Sequence, residues 1–303
     1  MEIWIPITIA AAFLQNLRSA LQKYLRTNYT LSTLGATSVR FIYAVPFAML
    51  YIAILNRAFD KPLPIINETF LLYVLLVAIS QIIGTAMLLY LFTKRNFAVS
   101  TAYSKTETIQ AALFGTVILG DVIGILPTFA ILVSVSGVLL ISSARTQSPF
   151  KLLLRSWTKQ DALIGISSGA AFAMAAVGVR GATLSLAPND FVINAAYSLL
   201  ATILVQSVIM TIYLYWKQPH ELTRIMRAWP LAGAVGLSGM LASACWFSAM
   251  AIQNVAYVRA LGQIELLFTF IASYFFFRES YNKVELLGIT LVIGGIILLL
   301  VGR

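Results

Sequence analysis

The chain has 303 residues, 60% of them hydrophobic and 11% charged, with a formal net charge of +10. That balance excludes a soluble surface and leaves room for about ten crossings of about 20 apolar residues each, with no sizeable soluble domain. The single cysteine, Cys245, and the single histidine, His220, exclude an internal disulfide, a cysteine metal cluster and a two-histidine metal site.

Apolar runs fall at about 3–24, 32–55, 69–93, 97–119, 122–144, 161–183, 190–216, 228–252, 256–277 and 281–302. Hydrocarbon offers no partner for stray backbone groups, so runs of this length predict helices. The first run opens MEIWIPITIAAAFLQ, without a basic leader or a clear cleavage site, and predicts a retained helix. Its residues Gln15, Arg18 and Gln22 recur at i, i+3 and i+7 and form one polar stripe. Such a stripe either faces the bundle interior or reaches the head groups by snorkelling. Trp4 predicts an interface anchor, and Gln81 and Gln206 predict hydrogen bonds between helices. Small-residue runs in the sixth and eighth spans predict close helix approach.

The fourth span, in STAYSKTETIQAAL, carries Lys105 and Glu107. On one continuous helix they point about 200° apart, so they do not pair with each other. Each charge inside a span needs a partner, an interface or water. The ninth span carries Arg259, Gln263 and Glu265. These residues either line a central polar cavity, with Lys105, Gln263 and Arg259 facing solute, or pair with neighbouring helices and hold the bundle together. Tyr103 and Tyr257 flank the two polar stretches as candidate cavity walls, and Glu107 and Glu265 are the candidates for proton coupling.

The longest polar stretch, 143–161, lies at the midpoint and divides the chain into residues 1–144, a basic linker at 145–160, and residues 161–303. A gap-free displacement of 158 residues pairs Asn96 with Asn254, Ala98 with Ala256, Ala102 with Ala260, Glu107 with Glu265, Asp121 with Glu279 and Gly137 with Gly295. It superposes two rare events, a glutamate inside an apolar span and an acid at the following turn. Five crossings per half is an odd number, so the two halves enter the membrane in opposite senses. The expected architecture is an all-α integral membrane protein with ten transmembrane helices in two inverted five-helix repeats and a shared site near mid-bilayer.

Basic residues concentrate after the odd-numbered spans, including Lys23, Arg26, Lys94, Arg95, Arg145, Lys151, Arg155, Lys159, Lys217, Arg224, Arg227, Arg278 and Lys283. The opposite side has Arg57, Lys61, Arg180 and Arg303. This asymmetry puts the linker in the cytoplasm and both termini outside. It accounts for the net charge through anionic lipid head groups without invoking nucleic acid. No GxxxxGK[ST] loop, HExxH motif or serine–histidine pair is present, so neither ATP hydrolysis nor another enzymatic activity is expected.

Several short features resemble the ten-helix EamA-type branch of the drug/metabolite transporter superfamily. They are Lys23 followed by Arg40, an acidic turn after each half's fourth span (LGD at 119–121, FRE at 277–279), and Gly288 with Gly295 in the last span. The first half keeps Gly137 and has Ala130 at the other glycine position. The resemblance covers almost the whole chain and implies helices around a central cavity, alternating access, and export of amino acids or other small metabolites. Small four-helix relatives couple protons through a first-helix glutamate. Here that helix has only Glu2 at its extreme end, so that mechanism does not carry over. Family members are commonly drawn with cytoplasmic termini, the reverse of the charge count.

The expected function is secondary transport of a small organic solute, without cofactor or metal, across a bacterial inner (plasma) membrane. Lys105, Gln263, Tyr103, Tyr257, Arg259, Gln15 and Arg18 are the candidate solute contacts. The alternative is a membrane receptor or scaffold that binds a small ligand without moving it.

Overall fold

The computed structural model describes residues 2–59, 63–94, 103–144, 160–187, 190–268, 270–271 and 282–302. Lys61, Arg95, Asn96, Ala98, Ala102, the linker residues 145–159, the FRE triplet at 277–279 and Arg303 lie outside the described residues. The helices are α1 (Trp4–Asn28), α2 (Thr33–Ile42), α3 (Ala44–Phe59), α4 (Glu68–Lys94), α5 (Glu107–Leu119), α6 (Ile125–Ala144), α7 (Gln160–Ser185), α8 (Phe191–Lys217), α9 (Pro219–Arg227), α10 (Trp229–Ile252), α11 (Val255–Gly262) and α12 (Lys283–Val301). Among the described residues six stretches are long and apolar enough to cross a membrane: Thr33–Ala58, Glu68–Leu88, Ala162–Ser185, Phe191–Lys217, Trp229–Ile252 and Lys283–Val301. The protein is an all-α integral membrane protein.

Helix ends follow local chemistry. Ser32 caps α2 by accepting from the Gly35 amide, and Asp190 caps α8 by accepting from the amides of Val192 and Ile193. Asn282 and Glu285 form a reciprocal capping box at α12. Gly120 ends α5 at φ 70°, a left-handed conformation that glycine adopts without a Cβ penalty, and the next amide, from Asp121, returns to the Gly115 carbonyl. The span expected at 32–55 is interrupted at Tyr43, three residues before Pro46, whose missing amide removes one helical hydrogen bond.

Two compact units emerge: Met1–Ile79 with Gly178–Ile252, and Ser80–Val177 with Gln253–Arg303. Each draws on both halves of the chain.

In the first unit α1 packs along α10, and α8 packs on α2, α3 and α10. Trp4 is buried, with its indole N–H donating to Glu2 at 2.6 Å. This corrects the expectation of an interface anchor: the ring lies inside the packing, and a nearby carboxylate satisfies its one donor. Glycines permit close approach here, with Gly178 lying against Val77 and Gly236 against Tyr43. The polar stretch after the seventh span forms the short amphipathic helix α9. Its inward Ile225 joins Leu25, Leu31, Val39 and Leu214 in one apolar cluster. Its inward Glu221 is buried and accepts from the Ser32 amide at 2.9 Å and from Arg224 at 3.1 Å.

In the second unit α6 and α12 form the most extensive pairing. A Cβ on Gly137 would lie 2.6 Å from the Gly288 carbonyl, and one on Gly295 would lie 2.8 Å from the Ala130 carbonyl. The backbones therefore meet at two points where only glycine fits on one side. The 158-residue displacement sends residues 137 and 288 to residues 295 and 130, so each contact is the counterpart of the other. Also in this unit, α5 packs against α11, and Asn254 donates to the Val122 carbonyl at 3.1 Å.

Candidate functional site

Two helix interruptions in the second unit position the charged candidates. Residues 105–106 form a turn between helical Tyr103–Ser104 and α5, and residues 263–264 form a turn between α11 and helical Glu265–Phe268. The sequence predicted unbroken helices at both places. At each break the hydrogen bonds tighten to i→i−3. Thr106 N–H donates to the Tyr103 carbonyl at 3.3 Å, Thr108 N–H to Lys105 at 3.5 Å and Ile109 N–H to Thr106 at 3.1 Å. The counterparts 158 residues on are Ile264 to Leu261 at 3.0 Å, Leu266 to Gln263 at 3.0 Å and Leu267 to Ile264 at 2.9 Å. A mid-helix stretch of such tightened bonds often marks a functional hinge or a strained sequence, and here it falls at corresponding positions of the two halves.

The breaks carry the charges. Lys105 forms an ion pair and hydrogen bond with Glu265. Arg259 pairs with Glu107 at 3.5 Å. All four side chains keep limited accessibility, 19% for Lys105, 15% for Glu265, 17% for Arg259 and 14% for Glu107. Two cations and two carboxylates balance to zero, which removes the demand for an external counter-ion that unpaired buried cations would create. Lys105 and Glu107 each bind a partner on the other interrupted span.

Gln263 is almost fully buried. Its amide nitrogen donates to the Thr108 hydroxyl at 3.1 Å, and its amide oxygen accepts from Ser134 of α6. It thus ties both breaks to the α6–α12 pair. Tyr103 is buried with Leu91 and Ala162, and its carbonyl accepts from the Thr106 hydroxyl at 2.6 Å. Tyr257 is buried on α11. Ser104, Thr106 and Gln110 converge on Gly169 of α7, where a Cβ would lie 2.9 Å from the Ser104 carbonyl.

The other two candidates belong to the first unit. Gln15 accepts from the Trp246 indole N–H at 3.0 Å, and the Arg18 stem packs against Gly239. Gln22 completes the stripe by donating to the Ala36 carbonyl at 2.8 Å. The whole stripe is engaged within the protein. Sequence reasoning did not single out Ser134 or Thr108 as partners of Gln263, because uncharged hydroxyls in apolar runs leave no pattern to read. Among the described residues no group of three or more metal-ligating side chains converges.

Residues 162–301 match the sequence profile of the EamA-like transporter family. Over this segment the chain is similar to the EamA-like transporter family. EamA-like proteins are membrane transporters, which agrees with a helical chain rich in membrane-length spans. A comparison with curated protein sequences finds no match. A solved crystal structure is similar over 97% of this chain and 95% of its own, with a TM-score of 0.69 at 13% identity. At that identity the likeness shows a shared fold over nearly the whole chain.

Proposed function

We propose that the protein is a secondary transporter that moves a small metabolite across the membrane by alternating access. Its solute site is centred on the paired breaks at Lys105 and Gln263. The observation that carries this reading is the recurrence of one helix break, with the same hydrogen-bond pattern, in both interrupted spans. The same recurrence, together with the reciprocal glycine contacts of α6 and α12, supports ten crossings arranged as two inverted five-helix repeats.

Charge balance refines the solute class. A carboxylate can replace Glu265 at Lys105 or Glu107 at Arg259, and an ammonium can then take the released glutamate. A zwitterionic amino acid leaves the cluster neutral, whereas a dianionic phosphate leaves it with excess negative charge. Glu107 and Glu265 are the carboxylates available for proton coupling. Export is the expected direction, by resemblance to the family.

The test is a flux assay in proteoliposomes across amino acids and organic anions, with and without a pH gradient. Transport that is lost in the Lys105→Ala/Gln263→Ala double variant supports the site, and unchanged flux in that variant contradicts it. Saturable binding of a panel solute with no flux assigns the chain to the receptor alternative.

A further inference from the structure

We propose that the two ion pairs lock the carrier in one transport state, because the exchanged roles of the two halves cannot reproduce them. The proposal rests on the inverted-repeat reading above. The second state then arises when each repeat adopts the conformation of the other. A contact between residue i of the first half and j of the second then becomes one between i + 158 and j − 158.

This rule leaves the α6–α12 pair unchanged. The Gly137–Gly288 contact becomes Gly295–Ala130, and both are already present. The ion pairs behave differently. Lys105–Glu265 becomes Gln263–Glu107, and Arg259–Glu107 becomes a contact between Glu265 and residue 101, a threonine. Exchange therefore replaces two ion pairs with contacts that contain no cation. Lys105 and Arg259 lose their carboxylates, and Glu107 and Glu265 lose their cations.

α6 contributes no charged residue, and α12 contributes only Lys283 and Glu285, at its first turn, where Glu285 is held by Asn282. The empty carrier stays in the present state. It is released when a solute brings a carboxylate to Lys105 or Arg259 and the freed glutamate pairs with the solute's own ammonium. Loaded carriers reorient and empty ones do not, so solute exchange outpaces net flux.

The lock is read by electron–electron distance measurement on the full chain in nanodiscs, with spin labels at Val122→Cys and Gln253→Cys in a Cys245→Ser background. Val122 and Asn254 lie across one end of the α5–α11 pair, joined by their hydrogen bond. The parent at neutral pH is expected to give one short distance. Lys105→Gln is expected to raise the ratio of long to short distances about tenfold. The double variant Lys105→Gln/Gln263→Lys, which hands the cation to the other half, should make the long distance the majority.

Identical distributions in the parent and in both variants overturn the lock. Distances that switch while no solute crosses leave the lock standing and overturn transport. Flux with invariant distances does the reverse.

Discussion

Lys105 and Glu265 lie 160 positions apart in the chain, yet they form one ion pair across two interrupted helices. Removing either partner strands the other in a partly dehydrated place. A fully buried pair loses about 3–5 kcal/mol on such a change, and the residual exposure of both side chains reduces this to about 1–3 kcal/mol. Lys105→Ala is expected to lower the thermal midpoint in nanodiscs by several degrees. The charge-reversed pair Lys105→Glu/Glu265→Lys should recover part of that loss. A double variant no more stable than the sum of its singles would show that the two side chains do not interact.

Gln263→Leu keeps side-chain volume while leaving Ser134 and Thr108 without their amide partner. Each unsatisfied buried polar group costs about 1–3 kcal/mol, so the variant is expected to be clearly destabilised. Gln263→Glu retains an acceptor for Ser134 and should fall between the two. Thermal melts of the three chains in one lipid composition check the order.

Adjacent glycines of α12 give an internal control. A Cβ on Gly295 would meet the Ser134 Cβ at 2.7 Å, whereas one on Gly294 finds nothing within 4 Å. Gly295→Ala is expected to push α6 from α12 and cost about 1–3 kcal/mol through overpacking. Gly294→Ala should be neutral or stabilising by up to about 1 kcal/mol. Equal stability of the two variants would contradict the close backbone contact.

Most span positions were legible because an apolar run in a membrane has one outcome. The eighth helix, Phe191–Lys217, matches the run expected at 190–216 within a residue. The rest depended on information a linear pattern does not hold. Nothing at 105–106 resembles a helix breaker, since neither residue is proline or glycine, and the break shows only as a change in hydrogen bonding. The helix α9 was read as loop because its polar face dominates its composition; the three-residue spacing of Leu222 and Ile225 was the available signal. The charges at 105, 107, 259 and 265 were visible as anomalies, but their pairing depends on which spans the fold brings together.

Glu221 connects α9 to the start of α2 through the Ser32 amide, and it also holds Arg224. Glu221→Ala removes an acceptor from a buried amide and is expected to destabilise the first unit by about 2–3 kcal/mol. Hydrogen exchange should rise in the peptide covering Ser32 to Ala36 and stay unchanged around Lys105 in the second unit. Uniform acceleration across both peptides would contradict a local role.

The central claim is that the neutral cluster at the paired breaks admits a solute carrying both charges. The most direct measurement compares initial fluxes of a zwitterionic amino acid, a monocarboxylate and a phosphate ester into the same proteoliposomes, with the parent chain and with the Lys105→Ala/Gln263→Ala variant. The account predicts that the zwitterion crosses fastest, that the phosphate ester is excluded, and that the variant abolishes the difference. Equal fluxes of all three solutes, unchanged in the variant, would contradict it.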